Sequence, residues 1–203
     1  MSGFDYSDFK RRVRSMTDGE FYRSYDDVFR AVGLRDYTAT NLDIVGPWIH
    51  GDLLDVGCAA GGFLAEMWGR CTRCVGVDVS EYALGEARKI IPSGVELLMA
   101  DVEKGLPFRD GEFDVVVCGF CFEHFRGPEA AAAEIRRVCH GEVVILIPLQ
   151  TEEQANLREN LHINFWKTTE EFERFWGKHS VDAVTARNGM LGILRFDCRK
   201  EAR

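Results

Sequence analysis

The stretch LLDVGCAAGGF at residues 53–63 limits the possible folds of this chain more than any other segment. An apolar run ends in an acid, passes through small residues and continues into residues 63–68, which have the character of a helix. This order is typical of a buried strand, a tight turn and a helix start. Because such a turn brings the backbone close to a nucleotide-like ligand, the stretch predicts a binding site of that kind.

The composition favours one globular domain of ordinary size. Of the 203 residues, 46% are hydrophobic and 29% are charged, which is enough to bury a core. The net charge of −8 and the lack of a Lys/Arg stripe argue against a nucleic-acid partner and favour a small, neutral or cationic substrate. No apolar run approaches the ~20 residues of a membrane span, and no hydrophobic signal core opens the sequence, so we expect a cytoplasmic protein without membrane contact.

From residue 52 onward, short apolar runs alternate with amphipathic segments. The predicted strands cover residues 52–56, 74–78, 95–99, 113–118 and 142–147, and the helices between them cover 62–69, 80–91 and 129–139. Alternation of nearly uniform apolar strands with helices indicates a parallel sheet covered on both faces. Two further strand-like runs, 181–186 and 191–198, flank Asn188-Gly189, which is a strong hairpin signal.

The first fifty residues read as a helical cap. A capping box from Thr17 to Glu20 precedes an aromatic stripe at helical spacing, and a further helix fits residues 38–50. The stripe fits core packing or a lid over the turn after the first strand. We therefore predict one domain, residues 1–203, with three parts. These are the cap (1–50), a ligand-binding core (51–148), and a substrate-side insertion with the hairpin (149–203).

The insertion contains two further helix signals. Residues 152–161 fit a short helix, and Thr168 to Glu171 forms a second capping box that opens a helix ending near Trp176. The segment between these helices, residues 162–166, is irregular in pattern.

Acidic and small side chains follow four of the predicted strands. The segments are Asp55 to Gly61, then Asp78, then Asp101, then Cys118 to His124. In an open parallel sheet, ligands bind outside the carboxyl ends of the strands, so these segments are expected to meet at one edge. The ordered set is a stronger signal than a glycine-rich turn alone.

Each position has a physical role if the ligand is an adenosine derivative. Gly57 and Gly61 let the backbone approach the ligand, where a Cβ would collide with it. Asp78, about 20 residues after the turn, can accept both ribose hydroxyl protons. Asp101 can accept from an exocyclic adenine amine, with backbone polar groups of Val102 beside it. The alternative for each aspartate is a helix N-cap or a turn residue.

The motifs LLDVGCAAGGF, VGVDVS, ADVEKGLPF and FDVVVCGFCFEHF, taken in this order, resemble the class I S-adenosylmethionine-dependent methyltransferases, in particular their small-molecule branch. The resemblance covers residues 50–150. It implies a Rossmann-like, doubly wound, mostly parallel seven-stranded sheet with an antiparallel last strand. It also implies S-adenosylmethionine as cofactor and S-adenosylhomocysteine as product.

The resemblance assigns a role to each matched position. Gly57, Cys58, Ala59 and Gly61 would pack against the methionine part, Asp78 would hold the ribose, and Asp101 and Val102 the adenine, with Cys118–Phe120 at the sulfonium end. The full set of expected cofactor-binding residues is Asp55, Gly57, Cys58, Ala59, Gly61, Asp78, Val79, Asp101, Val102, Cys118, Gly119 and Phe120. Ala59 departs from the family's middle glycine, and the resulting spacing is not the GxGxxG of a nicotinamide-dependent oxidoreductase.

Two histidines are candidate catalytic residues. Methyl transfer to a neutral hydroxyl needs deprotonation, and histidine is the usual base. His124 follows the fourth strand and His162 lies in the segment after the fifth. The alternatives are a structural hydrogen bond for His124 and a lid or surface position for His162. Transfer to an amine would need no strong base.

Seven cysteines, at positions 58, 71, 74, 118, 121, 139 and 198, are expected to be reduced thiols. The two CxxC pairs, Cys71/Cys74 and Cys118/Cys121, would lie at opposite edges of the sheet and so could not share one tetrahedral metal ion. The sequence therefore predicts no metal site.

The sequence thus predicts transfer of a methyl group to an oxygen or nitrogen atom of a small-molecule acceptor, by in-line displacement with a possible histidine base. The alternatives are a noncatalytic module of the same fold that binds a partner, and a methyltransferase acting on protein or nucleic acid. The sequence indicates neither the acceptor nor the oligomeric state.

Overall fold

The computed structural model describes residues 6–32, 43–156, 162–177, 182–186 and 191–200. Its centre is a seven-stranded sheet with the order β3-β2-β1-β4-β5-β7-β6. The strands are β1 Asp52–Val56, β2 Arg73–Asp78, β3 Glu96–Met99, β4 Phe113–Gly119, β5 Cys139–Pro148, β6 Asp182–Ala186 and β7 Leu191–Asp197. Strands β1 to β5 pair in parallel, and β7 is antiparallel to both of its neighbours. This confirms the predicted α/β class and the antiparallel last strand.

The helices are α1 Tyr6–Ser15, α2 Asp18–Val32, α3 Gly62–Met67, α4 Glu81–Ala87, α5 Pro128–Val138, α6 Glu152–Asn156 and α7 Thr169–Trp176. Short 3₁₀ turns cover Gly46–Trp48, Val102–Lys104, Phe122–His124 and Cys198–Lys200. Among the described residues, no helix is long and apolar enough to cross a bilayer.

The sheet is buried on both faces because its central strands are apolar throughout. Two clusters of buried residues divide between its faces: one contains Phe122, Phe172 and Trp176, and the other contains Leu53 and Met67. A chain with alternating apolar and polar strand residues would bury one face only. The doubly wound arrangement therefore follows from the strand composition.

Side-chain caps fix several helix starts. The predicted box at α2 is present, with the Thr17 N–H donating to Glu20 Oε2 (2.8 Å) and the Glu20 N–H donating to Thr17 Oγ1 (3.4 Å). At α7 the Thr168 hydroxyl accepts from the Glu171 N–H, but the Glu171 carboxylate accepts from the N–H of Lys167 instead of Thr168. The second predicted capping box is therefore incomplete, because the Glu171 side chain bonds the residue before Thr168 instead of Thr168 itself.

Some predicted boundaries differ from those observed. Strand β5 begins at Cys139, three residues before the predicted start, because α5 ends at Val138 and the chain enters the sheet at once. Helix α3 ends at Met67 and α4 at Ala87, both earlier than predicted. Of the helix predicted over 38–50, residues 43–45 are helical and Gly46–Trp48 forms a 3₁₀ turn. Residues 49–50 are not helical, because Ile49 is extended after the 3₁₀ turn. The Asn188-Gly189 turn, residues 38–42 and residues 157–161 of the 152–161 helix lie outside the described residues.

Helices α1 and α2 pack beside the irregular segment that follows α6. Val13, Phe21 and Ile163 form a third buried cluster. Arg126 joins α2 to the core, since its guanidinium donates to Asp18 Oδ1 (2.5 Å) and lies 4.4 Å from the centre of the Phe21 ring. These contacts bring α2 over the edge at which β1 to β4 end, which is called the carboxyl edge below.

Candidate active site

The turn after β1 is anchored to the end of β2. The N–H groups of Gly57 and Cys58 both donate to the carbonyl of Val77, at 2.8 and 3.1 Å. Ala59 follows with φ of 46°, in the left-handed region where residues other than glycine are uncommon. The alanine that replaces the family's glycine therefore keeps a glycine-like backbone conformation at the carboxyl edge.

The two glycines of the turn are required by packing within the protein. A Cβ at Gly57 would lie 2.1 Å from Cys121 Sγ, and one at Gly61 would lie 2.8 Å from Ile91 Cγ2 and 3.0 Å from Ala87 Cβ. Their φ angles, 76° and 74°, also favour glycine. The sequence-based reason, close approach to a ligand, stays a prediction, and the structure adds that protein neighbours lie where a Cβ would be at both positions.

Asp78 is the last residue of β2, and its carboxylate accepts hydrogen bonds from the turn after β1 and from the backbone that follows β2. Its Oδ2 accepts from the Ala59 N–H (2.9 Å) and its Oδ1 from the Ser80 N–H (2.8 Å). Burial raises the pKa of this carboxyl, although these two N–H groups act in the opposite direction. Val79, the next residue, is half-buried. Because a carboxylate oxygen has two lone pairs, each Asp78 oxygen retains acceptor capacity for a further donor.

Asp101 caps the 3₁₀ turn that contains Val102. Its Oδ1 accepts from the Glu103 N–H (2.9 Å), and its Oδ2 accepts from the Tyr22 hydroxyl (2.8 Å). The N-cap alternative considered for this aspartate is therefore present. Sequence patterning gave no signal for Tyr22. Its hydroxyl donates to the carboxylate that, by the resemblance, is expected to bind the adenine.

Asp55 is the most strongly affected acid of the set at the ends of β1 to β3. Burial, together with the nearby charge of Asp78, raises its pKa from 3.8 to about 7. The adjacent Cys58 thiol is also buried, and its pKa is raised well above the ordinary value for the same reason. The turn after β1 is thus a dry environment in which burial favours the neutral forms of Asp55 and Cys58.

The segment after β4 turns sharply beneath the same edge. Cys118 is fully buried at the end of β4, Gly119 follows, and Phe120 has φ of 58° with its N–H donating to the carbonyl of Leu146 (2.8 Å). The Cys121 thiol lies 3.4 Å from the carbonyl of Val56. This contact places the segment after β4 next to the turn after β1; the position of Cys118–Phe120 at the sulfonium end stays a prediction.

The two candidate catalytic histidines lie together. The rings of His124 and His162 are 4.8 Å apart between centroids and nearly perpendicular, at 81°. Glu123 lies beside them with 1% of its surface exposed, and burial raises the pKa of its carboxyl to about 8. The sequence indicated both histidines as candidates but gave no signal that their rings would lie in contact.

Neighbouring groups hold His162 in place. The N–H groups of Ile163 and Asn164 donate to the carbonyl of Glu123, at 2.7 and 3.1 Å. The side-chain amide of Gln150, which is buried, contacts Nδ1 of His162. The segment after α6 is therefore fixed to the 3₁₀ turn after β4 by main-chain bonds, and one imidazole edge is oriented by an amide.

Helix α2 covers this group from the side. The Tyr25 ring stands edge-on to His124, with centroids 5.7 Å apart. Asp26 accepts from the Ser80 hydroxyl (2.5 Å) and from the N–H of Tyr82 (3.3 Å). The aromatic stripe of α2 was the sequence signal for a helix that packs here. Its interpretation as a lid over the turn after β1 fits these contacts. Sequence patterning gave no signal for Asp26.

The cysteine pairs lie as expected. All seven cysteines are free thiols. Cys74 is the second residue of β2 and Cys118 the sixth of β4. At ~3.3 Å per residue, parallel strands carry these positions to different ends of the sheet, so Cys71/Cys74 and Cys118/Cys121 cannot join in one metal site.

The fold and these strand-end segments resemble those of class I S-adenosylmethionine-dependent methyltransferase domains. Residues 54–147 match the family model described as a methyltransferase domain.

Comparison with curated proteins points to the same class. The chain is similar to the ubiquinone biosynthesis O-methyltransferase of Thiobacillus denitrificans, with 38% identity over 101 residues, 48% of this chain and 43% of the relative. It is similar to the malonyl-[acyl-carrier protein] O-methyltransferase of Geobacter sulfurreducens, with 29% identity over 71% of this chain and 57% of the relative. The chain spans about half the length of the curated relatives it matches.

Solved structures share the fold. The PH0226 protein of Pyrococcus horikoshii superposes with a TM-score of 0.68 at 21% identity, covering 84% of this chain and 98% of that one. The magnesium protoporphyrin IX methyltransferase of Synechocystis, which has bound S-adenosylhomocysteine, gives 0.58 at 14% identity, covering 94% and 93%. At these identities the likeness concerns the fold.

Proposed function

We propose that this protein transfers a methyl group from S-adenosylmethionine to an oxygen atom of a small-molecule acceptor. The observation that carries the proposal is the contact between His124 and His162, 4.8 Å apart between ring centroids at the carboxyl edge. Two imidazoles beside the expected sulfonium end favour a hydroxyl acceptor, which must lose a proton, over an amine, which need not.

The residues at the carboxyl edge fit this cofactor. Asp78 and Asp101 each retain lone pairs for the ribose hydroxyls and the adenine amine, as the sequence-based assignment requires. A positively charged sulfonium near Asp55 would favour the ionised form of this carboxyl, whose pKa burial raises to about 7. At Asp101 an adenine amine would share or replace the hydrogen bond now made by Tyr22.

When bound, S-adenosylmethionine supplies a methyl group that is already electrophilic. The protein has to align the acceptor oxygen in line with the carbon–sulfur bond and exclude water. His124 or His162 would accept the hydroxyl proton as the oxygen attacks. The buried turn after β1 and residues 118–120 would border the sulfur.

The acceptor would be enclosed by the cap (1–50), residues 119–126 and residues 149–167. The third buried cluster, with Phe21 from α2 and Ile163 from the insertion, supports this arrangement, because it joins the two outer segments beside the histidines. Two similar proteins are named O-methyltransferases. A phenolic hydroxyl is the preferred acceptor class, since its pKa of about 10 is within reach of an imidazole base.

The test is methyl transfer from labelled S-adenosylmethionine to phenols, catechols, aliphatic alcohols and amines. Transfer to a hydroxyl, lowered about 10²-fold in kcat by His124→Gln or His162→Gln with unchanged S-adenosylhomocysteine affinity, is the expected result. Cofactor binding without transfer to any acceptor class would favour the noncatalytic partner-binding alternative. Transfer that both variants retain in full would overturn the histidine role.

A further inference from the structure

We propose that Glu123, His124 and His162 form a binding site for one divalent transition-metal ion. One carboxylate oxygen and one nitrogen from each imidazole all lie within 4.8 Å of one another. Glu123 and His124 come from the 3₁₀ turn after β4, and His162 from the irregular segment after α6. These three side chains are called the histidine cluster below.

The Glu123 side chain provides independent support. It is 1% exposed, and its Oε2 is buried without a hydrogen-bond partner among the described residues. An unpaired buried carboxylate oxygen is costly, so native proteins rarely leave one without a bonded group. Here that oxygen belongs to a side chain that faces two imidazoles. A cation between the three groups would satisfy it.

His162 has a neighbour of the kind that orients histidine ligands in known metal sites. Metal-bound histidine usually donates its other ring N–H to a fixed acceptor, which sets the ring orientation. The amide of buried Gln150 contacts Nδ1 of His162. With the amide oxygen turned toward the ring, an assignment that is open for any glutamine, Nδ1 donates to it and Nε2 is left as the ligand.

The type of ligand selects the type of ion. Two imidazoles with one carboxylate suit Zn²⁺, Co²⁺ and related ions, whereas Mg²⁺ and Ca²⁺ prefer oxygen ligands. Three protein ligands leave open positions, as in catalytic metal sites. The donor atoms would have to move closer on binding, to about 3 Å from one another, to match metal–ligand distances near 2.0–2.2 Å.

A role for the ion in catalysis rests on the proposed methyltransferase function. The open positions would bind the acceptor hydroxyl and a neighbouring oxygen of the same molecule. The expected acceptors are therefore molecules with two adjacent oxygen donors. The ion lowers the pKa of the bound hydroxyl, whose proton leaves to solvent. The resulting oxyanion forms the new oxygen–carbon bond while the carbon–sulfur bond breaks, and its electron pair stays on sulfur. With the ion present, the two histidines act as ligands and not as bases.

The test is titration of the chelator-treated protein with Co²⁺, followed by visible absorption, and with Zn²⁺, followed by calorimetry. We expect one ion per chain, d–d bands without a thiolate charge-transfer band, and at least a tenfold loss of affinity in Glu123→Gln and His162→Gln. His140→Gln and Cys71→Ser, which change a histidine and a thiol outside the cluster, should bind as the wild type does. S-Adenosylhomocysteine affinity serves as the folding control for every variant.

Wild-type protein that binds no Co²⁺ at millimolar concentration, or cluster variants that bind it like the wild type, would overturn the metal site. Loss of binding in Cys71→Ser alone would assign the ion to the thiols and would also overturn it. The two proposals fail separately. Metal binding without methyl transfer contradicts the proposed function alone, and methyl transfer that is unaffected by chelation contradicts the catalytic role of the ion alone.

Discussion

The hydroxyl of Tyr22 donates a 2.8 Å hydrogen bond to Oδ2 of Asp101, although the two residues are 79 positions apart in the sequence. Burial and this bond to a carboxylate raise the pKa of Tyr22, so the hydroxyl stays protonated and keeps donating. Helix α2 therefore reaches the carboxylate that the resemblance assigns to the adenine, so the cap binds an acceptor that the proposed cofactor site would also use.

Tyr22→Phe tests whether the tyrosine competes with the cofactor. Removing the hydroxyl while keeping the ring frees Asp101 Oδ2, so that the cofactor no longer has to share this acceptor with Tyr22. We expect S-adenosylhomocysteine to bind about two- to fivefold more tightly in calorimetry. Tyr82→Phe removes a hydroxyl elsewhere beside α2 and serves as the control. Weaker binding in Tyr22→Phe would mean that the hydroxyl contacts the cofactor itself.

Asp78→Ala should weaken the binding of S-adenosylhomocysteine by more than about tenfold, because the acceptor for the ribose hydroxyls is lost. It should also lower the free energy of unfolding by about 2 kcal/mol, since the N–H groups of Ala59 and Ser80 lose their acceptor. Asp110→Ala, at an exposed carboxylate, is the matched control. Unchanged affinity in a folded Asp78→Ala protein would contradict the ribose assignment.

Asp55→Asn should change how stability depends on pH. The folded protein keeps a proton on Asp55 up to pH of about 7, whereas the unfolded chain loses it near the ordinary value of 3.8. Between these values the folded state binds more protons, so this group lowers stability as pH rises, by up to about 1.4 kcal/mol per pH unit. Urea unfolding at pH 5 and pH 7.5 should show a smaller loss in Asp55→Asn than in wild type. Equal losses would place Asp55 in a solvated, ionised state.

Gly57→Ala should destabilise the protein by about 2–3 kcal/mol, because the new Cβ would lie 2.1 Å from Cys121 Sγ at a φ of 76°. Adding Cys121→Ala removes the sulfur and should restore stability except for a backbone penalty of about 1 kcal/mol. Gly69→Ala measures that penalty alone, since Gly69 has a φ of 88° with open space around its Cβ position. If Cys121→Ala rescues nothing, the clash with sulfur is not the cause.

The sequence predicted the parts of the fold that are written in local patterns. The strand β1 has the predicted bounds of residues 52–56, because a short apolar run between polar residues defines it. Strand β5 was predicted four residues too short, three of them at its start, since Cys139 and His140 carry no alternating or apolar signal that separates them from the preceding helix. Local patterns define elements better than they define junctions.

The candidate site was predictable only at the strand ends. Parallel strands bring Asp78 and Asp101 to one edge whatever the loops do, so their grouping follows from chain order. The bonds from α2 to these strand ends depend on how a helix from the first fifty residues packs, and no local pattern specifies that. The same holds for the contact of His162 with His124, which depends on a loop that returns over the edge.

The proposed function requires S-adenosylmethionine to bind at the carboxyl edge, and calorimetric titration of the full chain with S-adenosylhomocysteine measures that binding directly. We expect one site per chain with affinity in the micromolar range, weakened more than about tenfold in Asp78→Ala and retained in Asp110→Ala. No binding at millimolar ligand to a folded protein, or equal binding by both variants, would contradict the proposed binding at this edge.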